Sequence, residues 1–114
     1  MGLPTPPTPE TLLTVLKEST YCIVAQDRER VVGFITAITD KHLSAYIPFL
    51  EVLPEYQKRG IGKELVLRMI EILKQYYMID LSCDAQLQPF YESLGIQKMT
   101  GMMLRNYMNQ DGFM

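Results

Sequence analysis

The chain has 114 residues, with 11 Lys+Arg against 13 Asp+Glu for a formal net charge of −2. That is the length of one domain, and it lacks the basic excess that wholesale binding to nucleic-acid phosphates needs. Hydrophobic residues make up 47% and charged residues 21%, enough apolar material to offset chain entropy and to exclude a disordered chain. No apolar run approaches the roughly 20 residues of a membrane span. Cys22, Cys83 and one histidine offer neither a metal-ligand spacing nor a disulfide framework, so no metal is expected.

The opening Met1-Gly2-Leu3-Pro4-Thr5-Pro6-Pro7 has no basic or apolar leader pattern, and a cytoplasmic, reducing location is expected. Prolines at 4, 6, 7 and 9 make residues 1–8 read as an extended arm. Residues 9–114 read as a single domain. Thr8 and Pro9 look like an N-cap and a first helical position, and Leu12, Leu13 and Leu16 predict a short amphipathic helix over 9–18. Tyr21–Ala25 and Val31–Ile38, parted by the polar Asp27-Arg28-Glu29-Arg30, predict a hairpin. A third strand is expected over Leu43–Leu53. Pro48 inside it cannot donate to a ladder and predicts a bulge or an unpaired edge.

From Gly62 onward the period is helical. Leu65, Val66, Met69, Ile70 and Leu73 share one face, with Glu64 and Arg68 paired outside. Met78–Cys83 predicts a fourth strand. Pro89 opens a short helix that Gly95 closes. Ile96–Met99 and Met102–Tyr107 predict two last strands around Thr100-Gly101. Met99 reads as core, and some of Met102, Met103 and Met108 as interface. This order of elements predicts an α+β (mixed α/β) fold with helices on the faces of a mostly antiparallel sheet.

The segment that carries chemistry runs from Leu50 to Lys63, between a strand and a helix. Gly60 and Gly62 let backbone approach a ligand, and the helix start offers free N–H groups and a positive dipole end. Lys58, Arg59 and Lys63 add charge, and together they read as a phosphate site. It is not a Walker A loop, because position 57 is Gln. It is not a Rossmann fingerprint, because position 65 is Leu. The pattern Gln/Arg-x-x-Gly-x-Gly/Ala preceded by Val-x-Pro, filled here by Val52, Pro54, Gln57, Gly60 and Gly62, resembles motif A of the GNAT superfamily of acyl-CoA-dependent N-acyltransferases. Pro89-Phe90-Tyr91-Glu92-Ser93-Leu94-Gly95 resembles that family's late motif. The resemblance spans about residues 10–107, with a shortened N-terminal part.

The resemblance implies acetyl transfer from acetyl-CoA to a primary amine, on a small molecule or a peptide, by direct attack in a ternary complex. It implies that pantetheine pairs with backbone at Leu50 and Val52, where the third strand splays from the fourth. The Val52 N–H would polarise the thioester carbonyl. The backbone of Lys58, Arg59, Gly60, Ile61, Gly62 and Lys63 would hold the pyrophosphate beside Gln57, and Tyr91 would be the general acid for the leaving thiolate. The base stays open: the family's common glutamate position is Tyr46 here, which is no carboxylate, and Glu51, Asp84 and His42 are the candidates. A non-catalytic module that binds acyl-CoA or docks a partner is the alternative. The reduced N-terminal wall and the Met-rich end suggest a homodimer.

Overall fold

The computed structural model describes residues 9–110, so the expected proline-rich arm lies outside the described residues. Helix α1 covers Pro9–Glu18, the span that the leucine spacing predicts. Strands β1 (Tyr21–Asp27) and β2 (Arg30–Thr39) form the expected antiparallel hairpin, with a register shift at Ala25/Gln26. Its turn places Arg28 at φ 58.

Pro48 does break the third strand. The chain forms β3 (Ser44–Ile47) and then β4 (Leu50–Val52). Both pair antiparallel with β2, at Ile38↔Tyr46 and Thr39↔Ala45 for β3 and at Gly33↔Val52 through Ile35↔Leu50 for β4. A 3-10 turn at Pro54–Tyr56 leads towards α2 (Ile61–Leu73). This helix crosses back so that β5 (Met78–Leu81) pairs parallel with β3, from Ser44↔Met78 to Ile47↔Leu81. The sheet order is β1-β2-β3-β5, with β4 beside β2.

The core lies between this sheet and α2. Leu65, Val66, Met69 and Leu73 meet Ile35, Ala37, Ala45 and Ile47, all buried. Each such helix side chain contributes about 1.5–3 kcal/mol relative to exposure. Glu64 and Arg68 pair outside at 2.8 Å, as the i,i+4 spacing predicts. After β5 a 3-10 turn at Ala85–Leu87 runs into α3 (Gln88–Glu92). Gly95 closes this segment at φ 90, with its N–H on the Glu92 carbonyl and the Ile96 N–H on the Tyr91 carbonyl.

Three expectations are corrected. The fourth strand ends at Leu81 and does not reach Cys83. Residues 96–106 form no strands and run irregularly to a 3-10 turn at Tyr107–Asn109. Their apolar residues have no sheet face to cover: Met102 is 100% exposed and Leu104 91%. Without a paired neighbour and a buried face, a strand does not offset its ordering cost. Met99, expected in the core, is also exposed. Among the described residues, no helix is long and apolar enough to cross a membrane, and no cluster could hold a metal ion.

Candidate active site

The break at Pro48 separates two neighbours. β3 stays hydrogen-bonded to β5, while β4 turns to pair with β2. The Thr36 N–H donates to the Phe49 carbonyl and the Leu53 N–H to the Val32 carbonyl. By alternation along an antiparallel strand, the main-chain polar groups of Leu50 and Val52 therefore point away from β2. They face the gap between β4 and the end of β5, where the sequence reading expects a splay. Gly33 makes this close packing possible. A Cβ there would sit 3.0 Å from the Glu51 carbonyl oxygen, a role the sequence reading missed.

The loop after β4 is tied back on itself. The Gln57 Nε2 donates to the Val52 carbonyl at 2.9 Å. The Tyr56 hydroxyl donates to Asp27 Oδ2 at 2.6 Å, and this hydrogen bond holds the phenol pKa above its ordinary value. The guanidinium of Arg59 lies 5.0 Å from the Tyr56 ring centroid, and that of Arg30 5.8 Å. Arg30 also pairs with Glu55 at 2.9 Å. Arg59 is thus held by stacking beside the glycines.

Lys58 (φ 63) and Gly60 (φ 84) are both left-handed, which turns backbone N–H groups inward towards an anion. Gly60 is the N-cap of α2 and supplies no side-chain acceptor. The Glu64 N–H donates to the Gly60 carbonyl, so the amides of Ile61, Gly62 and Lys63 precede the first intrahelical bond. A Cβ on Gly62 would meet Phe90 Cζ and Val52 Cγ2 at 3.9 Å, ordinary contact distances. Packing does not demand glycine there. A close-lying phosphate would, and in that respect the loop fits the group that it resembles a site for.

Those same contacts bring α3 to the mouth of the loop. Tyr91 is buried and packs edge-on against Phe90, with ring centroids 4.9 Å apart. Burial, followed by the charges of Cys83 and Glu51, pushes its phenol up to about 12. Tyr91 thus feels charge from Glu51 on β4 and Cys83 just past β5, and it belongs to the core cluster with the buried residues of α2. It also lines a cavity of ≈ 480 Å³ together with Tyr46, Asp80, Ser82 and Cys83.

Of the candidate bases, His42 lies in the turn before β3, at the opposite end of the strand from Val52. Its N–H donates to Asp40 Oδ1. Asp84 is exposed at the cap of a 3-10 turn. Neither lines the cavity. Tyr46 does, and its hydroxyl donates to Ser82 Oγ at 3.1 Å. Asp80, which the sequence reading passed over, is the register partner of Tyr46. A lone carboxylate in an apolar strand was the available signal.

The model of the acetyltransferase (GNAT) family matches residues 3–96. A crystal structure from Deinococcus radiodurans R1, named provisionally as an acetyltransferase, superposes with a TM-score of 0.91 at 43% identity and covers 98% of this chain and 79% of that one. A GNAT family acetyltransferase from Streptococcus pneumoniae gives a TM-score of 0.75 at 32% identity, over 87% of this chain and 80% of that one. The chloroplastic GCN5-related N-acetyltransferase 2 of Arabidopsis thaliana is 35% identical over 74 residues, 63% of this chain but only 29% of its own length. With the α+β fold, the glycine loop and Tyr91 in place, the chain belongs to the GNAT acetyltransferase family.

Proposed function

We propose that the chain is an N-acetyltransferase that moves an acetyl group from acetyl-CoA to a primary amine by direct attack in a ternary complex. One observation carries this reading: the amides of Ile61, Gly62 and Lys63 at the head of α2 precede its first intrahelical bond, and Gly62 lies within contact distance of Phe90, the chain neighbour of buried Tyr91. Acetyl-CoA, as substrate, supplies the activated acyl group and the thiolate that must leave.

The chain's own residues do the rest. The amides of residues 58–63, with Lys58, Arg59 and Lys63, hold the pyrophosphate. Leu50 and Val52 present main-chain groups to the pantetheine arm as a neighbouring strand would. The Val52 N–H donates to the thioester oxygen as negative charge develops on it. The amine nitrogen bonds to the carbonyl carbon, the carbon–sulfur bond breaks, and Tyr91 gives its proton to the sulfur. The nitrogen releases its proton to solvent, and solvent returns a proton to the Tyr91 phenolate. With its pKa at about 12, the phenol carries that proton throughout the physiological range. Holding both reactants in one cleft removes the entropy cost of their encounter.

The test is release of CoA thiol from acetyl-CoA across a panel of primary amines and peptides, with the acetylated product identified by mass. Release with at least one amine supports the reading. Tight acetyl-CoA binding with no release across the panel replaces it with the non-catalytic module, which the absence of a carboxylate at Tyr46 would then explain.

A further inference from the structure

The cavity beside Tyr91 has two unlike walls. On the strand wall, Tyr46 and Asp80 are register partners across β3 and β5. Alternation places them on the sheet face away from α2, because Ala45, Ile47, Ile79 and Leu81 pack against the core. The Tyr46 hydroxyl is fixed on Ser82 at 3.1 Å. Asp80 is half-buried, and its carboxylate makes no ion pair or hydrogen bond among the described residues. The irregular chain after α3 supplies the other wall, and Arg105 lines it. Among the described residues its guanidinium donates to the neutral Leu104 carbonyl alone, at 3.3 Å. The cavity's two remaining charges, Lys98 and Glu92, pair with each other at 3.7 Å. Leu81 and Ile96 give the space an apolar lining.

A carboxylate and a guanidinium without ionic partners, on two walls of one cavity, complement a ligand that carries an ammonium and an anion. The cavity size of ≈ 480 Å³ suits a small molecule. Resting on the acyl-transfer reading, we infer that this cavity is the acceptor site and takes a zwitterionic amine of amino-acid type. Asp80 and the Tyr46 hydroxyl receive its nitrogen end, in the cavity that Tyr91 also lines, and Arg105 receives its carboxylate. Asp80 here is a binding and positioning residue, and Arg105 sets specificity.

Two probes isolate the carboxylate: leucine, and isopentylamine, which is leucine without it. Calorimetry on protein saturated with CoA reads binding without turnover, and thiol release from acetyl-CoA reads transfer. Leucine should bind about tenfold more tightly than isopentylamine, the scale of one well-placed charge pair. Arg105→Gln should abolish that preference and leave isopentylamine within about a factor of two. Arg105→Lys should keep most of the preference, which excludes a folding defect at the site. Asp80→Asn should weaken both amines. Equal binding of the two amines, or equal weakening of both by Arg105→Gln, overturns the inference. If isopentylamine still supports thiol release in that case, the acyl-transfer reading survives. If leucine is preferred and lost as expected but neither amine releases thiol, the site stands as a binding site and the transfer reading falls.

Discussion

The Gln57 side chain donates to the Val52 carbonyl at 2.9 Å, so the residue that opens the glycine loop is fastened to the strand end expected to receive the thioester. The motif position thereby gains a mechanical role, coupling loop geometry to the Val52 main chain. Gln57→Ala removes this tie. A hydrogen bond of this kind contributes about 0.5–1.5 kcal/mol net, so acetyl-CoA affinity should fall by roughly three- to tenfold. Because the bond is exposed, the melting temperature should move little. A calorimetric titration of wild type and variant measures both constants, and unchanged affinity would sink the coupling.

Gly62 separates packing from ligand demand. Its absent Cβ would meet Phe90 and Val52 only at 3.9 Å, and its φ is not positive. Gly62→Ala should therefore keep or raise the melting temperature, since alanine is favoured in helices by up to about 1 kcal/mol. Acetyl-CoA should nonetheless bind more weakly, because the methyl group occupies the phosphate approach. Gly60 differs: at φ 84 any other residue costs about 1–2 kcal/mol. Gly60→Asp should lose both stability and the thermal shift caused by acetyl-CoA. A Gly62→Ala protein with full affinity would show that the cradle is not where the pyrophosphate lies.

The turn between β2 and β3 offers a pH test. Asp40 Oδ1 accepts the N–H groups of His42 at 2.8 Å, Leu43 at 2.9 Å and Ser44 at 3.2 Å. These bonds lower its pKa to about 2. The folded value lies below the unfolded one of about 3.9, so between them the unfolded chain binds more protons. The stabilisation is present above the unfolded pKa and is lost as pH falls through the folded one. Asp40→Ala should lower the melting temperature near neutrality, with the deficit closing as pH approaches about 2. A deficit that is the same at both ends would show that the carboxylate charge is not involved.

What was legible in the sequence was local. Val52, Gln57, Gly60 and Gly62 declare themselves because a strand-to-helix loop states its backbone needs in neighbouring residues. Pro48 announces its break for the same reason, since a missing N–H cannot join a ladder. The partnership of Tyr46 with Asp80 was not legible. It depends on the parallel register of strands separated by a whole helix, and no short window contains both. The strands expected around Gly101 failed for a related reason. Met99, Met102 and Leu104 supply apolar residues, but apolar residues alone supply no paired neighbour and no buried face.

Tyr91 carries the sharpest test. Tyr91→Phe removes one oxygen and little volume, so the edge-on packing with Phe90 persists and folding should be nearly unchanged. The main-chain groups of Leu50 and Val52 and the glycine loop are untouched, so acetyl-CoA should bind as before. Transfer should slow by on the order of 10²-fold, the lower end of what a positioned general acid supplies. A ring that only packs predicts full activity for the variant. The pH profile adds a second constraint. Burial, then the charges of Cys83 and Glu51, raises the phenol to about 12, above its ordinary value of 10.0. The folded state therefore holds the proton longer than the unfolded one. The resulting stabilisation is complete below the unfolded pKa and is lost as pH rises through about 12. Tyr91 cannot then cause any loss of activity between pH ~6 and ~9. An alkaline limb in that window should be identical in Tyr91→Phe, offset only downward. If the substitution instead abolishes such a limb, the phenol titrates there, and its role as a proton donor held in reserve by burial is wrong.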